Sequence, residues 1–311
     1  MNAPIQVSVV MSVYNGAERL VNTLGSILNQ KGVYLEFIAV NDGSTDETLS
    51  ILQQCAVKDA RLRIIDQENR GLTRSLIRGC REARGEFIAR QDAGDISLPG
   101  RLRKEFDFLA THPDVVLVSC GTRFLDPRGE CVHEVTQPED EARQGLGRHT
   151  LAEIRGPSHH GNTMFRRRVY EQVGGYRSQF RVAQDLDLWT RLNEHGEHAA
   201  LQEILYVAEM TPDAISSTNR ALQVNTATLI LECARRRNRG EDETSLLEEA
   251  ESLMMNRKRN NKRSRKAEFF YFLGSCIDSE NKNRARVYFR ESLKNNPFHV
   301  RALFRYLKTA F

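Results

Sequence analysis

The chain has 311 residues, 40% of them hydrophobic and 28% charged, with a formal net charge of +4. That profile excludes a disordered chain and leaves room for one large domain or a domain with a smaller appendage. No apolar run approaches the roughly 18 residues a membrane helix needs, and Met1-Asn-Ala-Pro-Ile-Gln6 lacks the basic-then-apolar order of a signal peptide, so a cytoplasmic location is expected.

Val7-Ser-Val-Val-Met-Ser-Val13 reads as a buried strand running into a turn at Tyr14-Asn-Gly16. Leu20, Leu24, Ile27 and Leu28 recur at helical spacing, and Phe37-Ile-Ala-Val40 supplies a second strand, which makes a parallel crossover unit. In the next turn, Asn41-Asp-Gly-Ser-Thr-Asp46, Ser44 and Glu47 have capping-box spacing for a helix with Leu49, Leu52 and Cys55 on its apolar face. Asp46 reads as a turn or cap residue. Arg63-Ile-Ile65 is a third strand, and Leu72, Leu76, Ile77 and Cys80 mark a third helix. In Glu86-Phe-Ile-Ala-Arg-Gln-Asp-Ala-Gly-Asp95 an apolar run breaks into Asp92 and Asp95. Unpaired buried charge is costly, so both carboxylates are expected at the strand's exit, facing water, a cation or a ligand. Pro99 then precedes Leu102, Phe106 and Leu109, the spacing of one helix face.

This alternation predicts an α/β fold built on an open parallel sheet with helices on both faces, where ligands bind outside the carboxyl ends of the strands. Three polar clusters fall at such ends: Ser12 to Asn15, Asn41 to Asp46, and Asp92 to Asp95. They suit a nucleotide held by a carboxylate at its base or ribose and by a cation at its phosphates. With no GxGxxG and no GxxxxGK[ST], neither a dinucleotide nor a P-loop phosphate site is supported.

Further on, Val115-Val-Leu-Val118 and Phe124-Leu125 suggest strands, Asp126-Pro-Arg-Gly129 a tight turn, and 136–156 a mobile loop near the site. A second polar cluster joins His159-His-Gly-Asn162 to Gln184-Asp-Leu-Asp-Leu-Trp189, in which Leu188, Trp189 and Leu192 have core spacing. Beyond 220 only helical patterns remain, with Phe269, Phe272, Leu273 and Val287, Phe289, Leu293 as the faces of a pair and Leu303 and Leu307 on a last helix. The pair resembles a single tetratricopeptide-like unit, which must pack on the rest of the chain, a neighbouring subunit in a homo-oligomer, or a membrane surface. The basic runs Arg235 to Arg239 and Arg257 to Lys266 read as solvated faces, with anionic lipid as the functional alternative and nucleic acid disfavoured because no aromatics are interleaved. The six cysteines form no CxxC pair and read as reduced packing thiols.

Val7 to Asn15, Val40-Asn-Asp-Gly-Ser-Thr-Asp46 and Ala89 to Leu102 together resemble the inverting glycosyltransferases of family 2, with the GT-A fold. The resemblance implies a mostly parallel GT-A domain over residues 1–220, a helical extension over 221–311, and transfer of a sugar from a nucleotide-diphospho-sugar, UDP by family frequency. The acceptor would be a saccharide or a lipid-linked glycan, the latter with peripheral membrane contact through 235–266. It further implies that Asp42 binds the base, that Ser12, Tyr14, Asn15, Arg74 and Asp92 contact the nucleotide, and that Asp92 and Asp95 hold Mn²⁺ or Mg²⁺. Gly94 stands where the family has a metal-binding carboxylate, which opens a metal-free alternative. Asp185 matches the general base, with Gln184 replacing the usual Glu before it. His160, Gln184 and Trp189 match sugar-side positions, and Ser216 and Ser217 are candidate phosphate contacts. The competing expectations are a non-catalytic nucleotide-sugar scaffold and a nucleotidyltransferase, the latter lacking the glycine-rich basic loop it would want after the first strand.

Overall fold

The computed structural model describes residues 4–212, 220–255, 262–279 and 281–309. Ser216, Ser217 and the core of the second basic run lie outside them. The first half alternates as expected: β1 (Val7–Val13), α1 (Ala17–Leu28), β2 (Leu35–Asp42), α2 (Thr48–Lys58), β3 (Leu62–Gln67), α3 (Leu72–Arg81) and β4 (Phe87–Arg90). The strands lie parallel in the order β3-β2-β1-β4. Strand alternation divides the core between the two faces. Val7, Val9 and Met11 pack with Leu20, Leu24 and Ile27 of α1, while Val10, Ile38 and Val40 pack with Leu76 and Cys80 of α3. The capping box at Ser44 does not form. Asp46 accepts from the Thr48 backbone N–H and hydroxyl and so starts α2, while the Ser44 hydroxyl accepts from the Asn15 N–H and ties the first two loops together.

The second half holds β5 (Ile96–Ser97), α4 (Arg101–Thr111), β6 (Val115–Leu125), β7 (Cys131–Val135), α5 (Glu139–Gly145), a 3₁₀ turn (His160–Asn162), β8 (Thr163–Arg166), α6 (Arg167–Gln172), α7 (Gln184–Asn193) and β9 (Glu197–Glu209). The order continues β4-β8-β6-β9-β5, with β7 paired to β6. The expected parallel pairing holds for the first four strands and returns between β6 and β9, while β8 runs antiparallel to both β4 and β6. The sheet is mixed, and that reversal positions the site. Ala89 pairs with Met164 and Phe87 with Arg166, so the residues entering β8, His159 and His160, sit beside the carboxyl end of β4. The segment expected as a mobile loop contains α5, whose first turn carries Glu139, Asp140 and Glu141 at the positive helix end and whose Ala142 is buried.

The tail holds α8 (Arg220–Asn238), α9 (Thr244–Met255), α10 (Lys262–Ile277), α11 (Lys282–Asn295) and α12 (Val300–Lys308). Ile230, Cys233, Leu246 and Ala250 close around Phe180. Phe269, Leu273 and Phe289 close on Val132 of β7, where Asp126 accepts from Arg284 and Tyr288, both at 2.5 Å. Through these contacts α8 to α11 pack on the α/β body, one of the three surfaces considered from sequence. Among the described residues no helix is long and apolar enough to cross a membrane.

Candidate active site

The stretch after β4 is a carboxylate turn fastened from several sides. The Tyr206 hydroxyl on β9 donates to Asp95 Oδ2 at 2.9 Å and accepts from the Asp92 N–H at 3.1 Å. The Gln91 amide donates to the carbonyls of Asp92 and Asp95, and Arg101, fully buried and paired with Glu105, donates to the Arg90 carbonyl and the Ser97 hydroxyl. Gly94 adopts φ +100, a region side-chain-bearing residues rarely enter, and its N–H donates to Thr23 Oγ1 at 3.0 Å. The residue expected to be a carboxylate is thus the pivot of the turn. Gly161 is equally constrained, since a Cβ there would lie 2.0 Å from the Tyr206 hydroxyl.

Burial would raise the Asp92 carboxyl, but Arg90, fully buried and 2.8 Å from Oδ1, holds it below the usual range. Asp95 goes the other way: burial pushes it up to about 6, against the pull of His159 and with the push of Asp92. His160 is a neutral acceptor. Burial, then Arg90, lower it to about 3, and its Nε2 accepts from Tyr176 at 2.6 Å and Arg90 at 3.4 Å.

Asp92, Asp95 and His159 offer ligand atoms within 4.8 Å of one another and could hold a metal ion. Two hard carboxylate oxygens with one imidazole suit Mn²⁺ or Mg²⁺, which take few protein ligands when diphosphate and water complete the shell. His159 Nδ1 accepts from the Gly161 N–H at 3.0 Å while Nε2 lies 3.7 Å from Asp95 Oδ2. Ligation through Nε2 therefore asks the ring to change tautomer and release Gly161, whereas the carboxylates need no rearrangement. A proton on Asp95 competes with the cation. Mn²⁺ affinity, read by titration calorimetry, is expected to fall about tenfold per pH unit below about 6 and to level off above it; a flat profile from pH 5 to 7 would remove Asp95 from the ligand set.

These groups line a cavity of about 980 Å³, together with Ser12, Tyr14, Asn15, Arg19, Gln184, Asp185 and Glu209. Arg19 and Glu209 form an ion pair at 2.7 Å on its wall. Asp185 stands in the first turn of α7, half-buried, and burial raises its carboxyl against the pull of the Leu186 N–H, from which it accepts at 2.9 Å, and of its own backbone N–H. Gln184 is buried beside it, and its Oε1 has no hydrogen-bond partner among the described residues.

Three sequence-predicted residues stand elsewhere. Asp42 is buried and does not line the cavity; it accepts from Gln67 Nε2, Arg70 N and Gly71 N at 2.7 to 2.9 Å and so organises the loop after β3. Arg74 is exposed on α3, outside the lining. Trp189 is a core residue packed with Leu188 and Leu192. In the first basic run Arg235 and Arg236 pair with Glu232, and Arg237 pairs with Glu194 and Glu243, so these cations face internal partners. Arg90, His159 and Tyr206 were not singled out from sequence. The local signals were the charge at the end of the apolar run before Asp92, for Arg90, and the histidine pair that opens the second polar cluster, for His159.

The family model described as "Glycosyl transferase family 2" matches residues 8–174. The putative glycosyltransferase EpsE of Bacillus subtilis is 34% identical over 245 residues, which cover 76% of this chain and 84% of that protein. Among solved structures, Staphylococcus aureus TarS in complex with UDP-GlcNAc has a TM-score of 0.60 at 16% identity over 98% of this chain and 90% of that one. The mannosyltransferase PcManGT of Pyrobaculum calidifontis, in complex with GDP-Man and Mn²⁺, has a TM-score of 0.57 at 17% identity over 99% of this chain and 88% of that one.

Proposed function

The chain belongs to glycosyltransferase family 2 and is a glycosyltransferase, and from that premise we propose that it moves a sugar, with inversion, from a nucleoside diphosphate sugar to an acceptor hydroxyl at the mouth of this cavity. The observation that carries the reading is Asp185, a half-buried carboxylate with raised proton affinity lining the same cavity as the carboxylate turn. Asp185 takes the acceptor proton as the hydroxyl oxygen bonds to the anomeric carbon; the bond from that carbon to the diphosphate breaks, and nucleoside diphosphate leaves. Asp92, Asp95 and His159 hold the divalent cation, Mn²⁺ or Mg²⁺, which when bound neutralises charge on the departing diphosphate.

Ser12, Tyr14 and Asn15 are the proposed nucleotide contacts, with Asp92 on the ribose side. Asp42 and Arg74 join them only if ligand displaces the loop that Asp42 now organises. The unpartnered Oε1 of Gln184 is suited to accept from a sugar hydroxyl, and His160 touches ligand from the cavity wall, whereas Trp189 supports α7 from the core. Residues 1–220 form the catalytic domain in this reading and 221–311 a tetratricopeptide-like brace. UDP is the favoured donor nucleotide, the acceptor is a saccharide or lipid-linked glycan, and the enzyme works in the cytoplasm at the inner membrane face. The scaffold alternative is favoured by one observation, Gly94, and is answered by turnover. Thermal unfolding with UDP, GDP and CDP, each with and without Mn²⁺, followed by turnover with the matching sugars, tests the reading. One nucleotide at 100 times its dissociation constant is expected to add about 2.7 kcal/mol of stability. If none stabilises the chain and no donor is consumed, the reading fails.

A further inference from the structure

Helix α12 buries Ala302 against the tail and turns a different face outward. Val300, Leu303, Phe304 and Leu307 recur at i, i+3, i+4 and i+7 and form one stripe about 100° wide. They are 76, 44, 66 and 55% exposed, and Phe298, just before the helix, is 89% exposed. A continuous apolar stripe with two phenylalanines is more than the scattered single hydrophobics of an ordinary surface and marks a contact face.

Charge selects the partner. Between residues 282 and 308 there are eight Lys and Arg residues against one acid, Glu291. On the helical wheel Arg301, Arg305 and Lys308 fall along one border of the stripe. The pair Arg301–Glu268 at 3.1 Å lies at the surface, where such pairs contribute little and exchange readily for another anion, whereas Arg305 meets the largely buried Asp278 at 2.7 Å. A second copy of the chain meeting this face across a two-fold axis would bring the same cations together. An anionic bilayer complements both features, with acyl chains for the stripe and headgroup phosphates for its cationic border.

We propose that α12 is an interfacial anchor that lays Phe298, Val300, Leu303, Phe304 and Leu307 into the headgroup layer of an anionic membrane. The contact lies outside the basic run 235–239, in which Arg235 and Arg236 pair with Glu232 and Arg237 with Glu194 and Glu243. The tail also touches the active-site wall, since Asp126 accepts from Arg284 and Tyr288 and the next residue, Pro127, lines the cavity. Anchoring through the tail would therefore hold the cavity close to a lipid-borne acceptor. The contact itself does not depend on the role given to Asp185.

Flotation of the full chain with vesicles of phosphatidylcholine alone, and of phosphatidylcholine and phosphatidylglycerol in equal amounts, tests it. Binding is expected to the anionic vesicles, to weaken as salt is raised, and to be roughly tenfold or more weaker on neutral ones. Phe298→Ser with Phe304→Ser is expected to lower anionic binding roughly tenfold or more, with unchanged thermal unfolding and nucleotide binding because both rings are exposed. Leu303→Ser with Leu307→Ser serves as an independent second variant. No binding to anionic vesicles at low salt, or equal binding by both double variants, overturns the proposal. So does a wild-type dimer in sedimentation that the phenylalanine variant dissociates while vesicles capture neither form.

Discussion

On the proposed mechanism Asp185→Asn is expected to lower kcat by about 10²–10⁴-fold, the usual contribution of a general base, while nucleotide affinity stays nearly unchanged. The split follows from where the side chain stands. Asp185 lines the cavity that the carboxylate turn also lines, from the first turn of α7, and its Oδ1 accepts from the Leu186 N–H. Asn keeps the shape and can still accept at one atom, but it cannot take a proton. Burial raises the Asp185 carboxyl above its ordinary value of 3.8, which brings its basicity nearer the working pH. The active form is the carboxylate, so wild-type activity falls as pH drops through that raised value. At saturating Mn²⁺, where protonation of Asp95 no longer limits cation binding, the acid limb set by Asp185 therefore lies above that ordinary value, and the Asn variant loses it. Steady-state kinetics over pH 4 to 8 read both effects. A variant that raises KM with kcat intact, or keeps the acid limb, would move the base elsewhere.

Legibility in the sequence tracked how local each signal was. β1, β2 and β4 read directly because both faces of a parallel strand are buried and the chain shows continuous apolar runs. Asp92, Asp95 and Asp185 were legible as carboxylates breaking such runs or opening a helix. β8 was harder: four residues, Thr163 to Arg166, say little about direction, and only pairing with β4 and β6 fixes it as antiparallel. Tyr206 had no local signal, because its contacts to Asp92 and Asp95 span 114 and 111 residues. Asp42 was found as a polar residue in a cluster at a strand end, but sequence could not reveal that it is buried and that Gln67, Arg70 and Gly71 already satisfy it. The stripe on α12 has the spacing of a core face and points outward, a distinction that periodicity alone cannot make.

Asp187→Asn is expected to destabilise the fold by about 3–5 kcal/mol, the range for removing one partner of a buried ion pair. Asp187 is fully buried between two guanidinium groups: Arg177 Nε donates to both its oxygens at 3.0 and 3.1 Å, and Arg191 donates at 2.6 Å. Arg177 also reaches Glu243 of the tail at 2.6 Å, and Arg237 joins Glu243 to Glu194. Asn keeps the volume and one acceptor oxygen but removes the charge, so Arg177 and Arg191 lose their shared carboxylate while Arg191 keeps the Val173 carbonyl and Arg177 keeps Glu243. The lower end of the range applies because those contacts survive. Burial raises the Asp187 carboxyl, but Arg191 and Arg177 outweigh it and hold it below its ordinary value. Its stabilisation is therefore present above the unfolded value near about 4 and is lost as pH falls through the lower folded one. The variant should accordingly show a smaller loss of stability on acidification than wild type. Because the network ties the tail to the helix that carries Asp185 two residues earlier, unfolding followed at Trp189 should shift to lower denaturant together with loss of activity. Asp187→Leu combined with Arg177→Met and Arg191→Met separates packing from charge: replacement of the whole buried set by apolar residues should recover much of the loss. Equal stability of wild type and Asp187→Asn would mean that the tail, not this network, holds α7 in place.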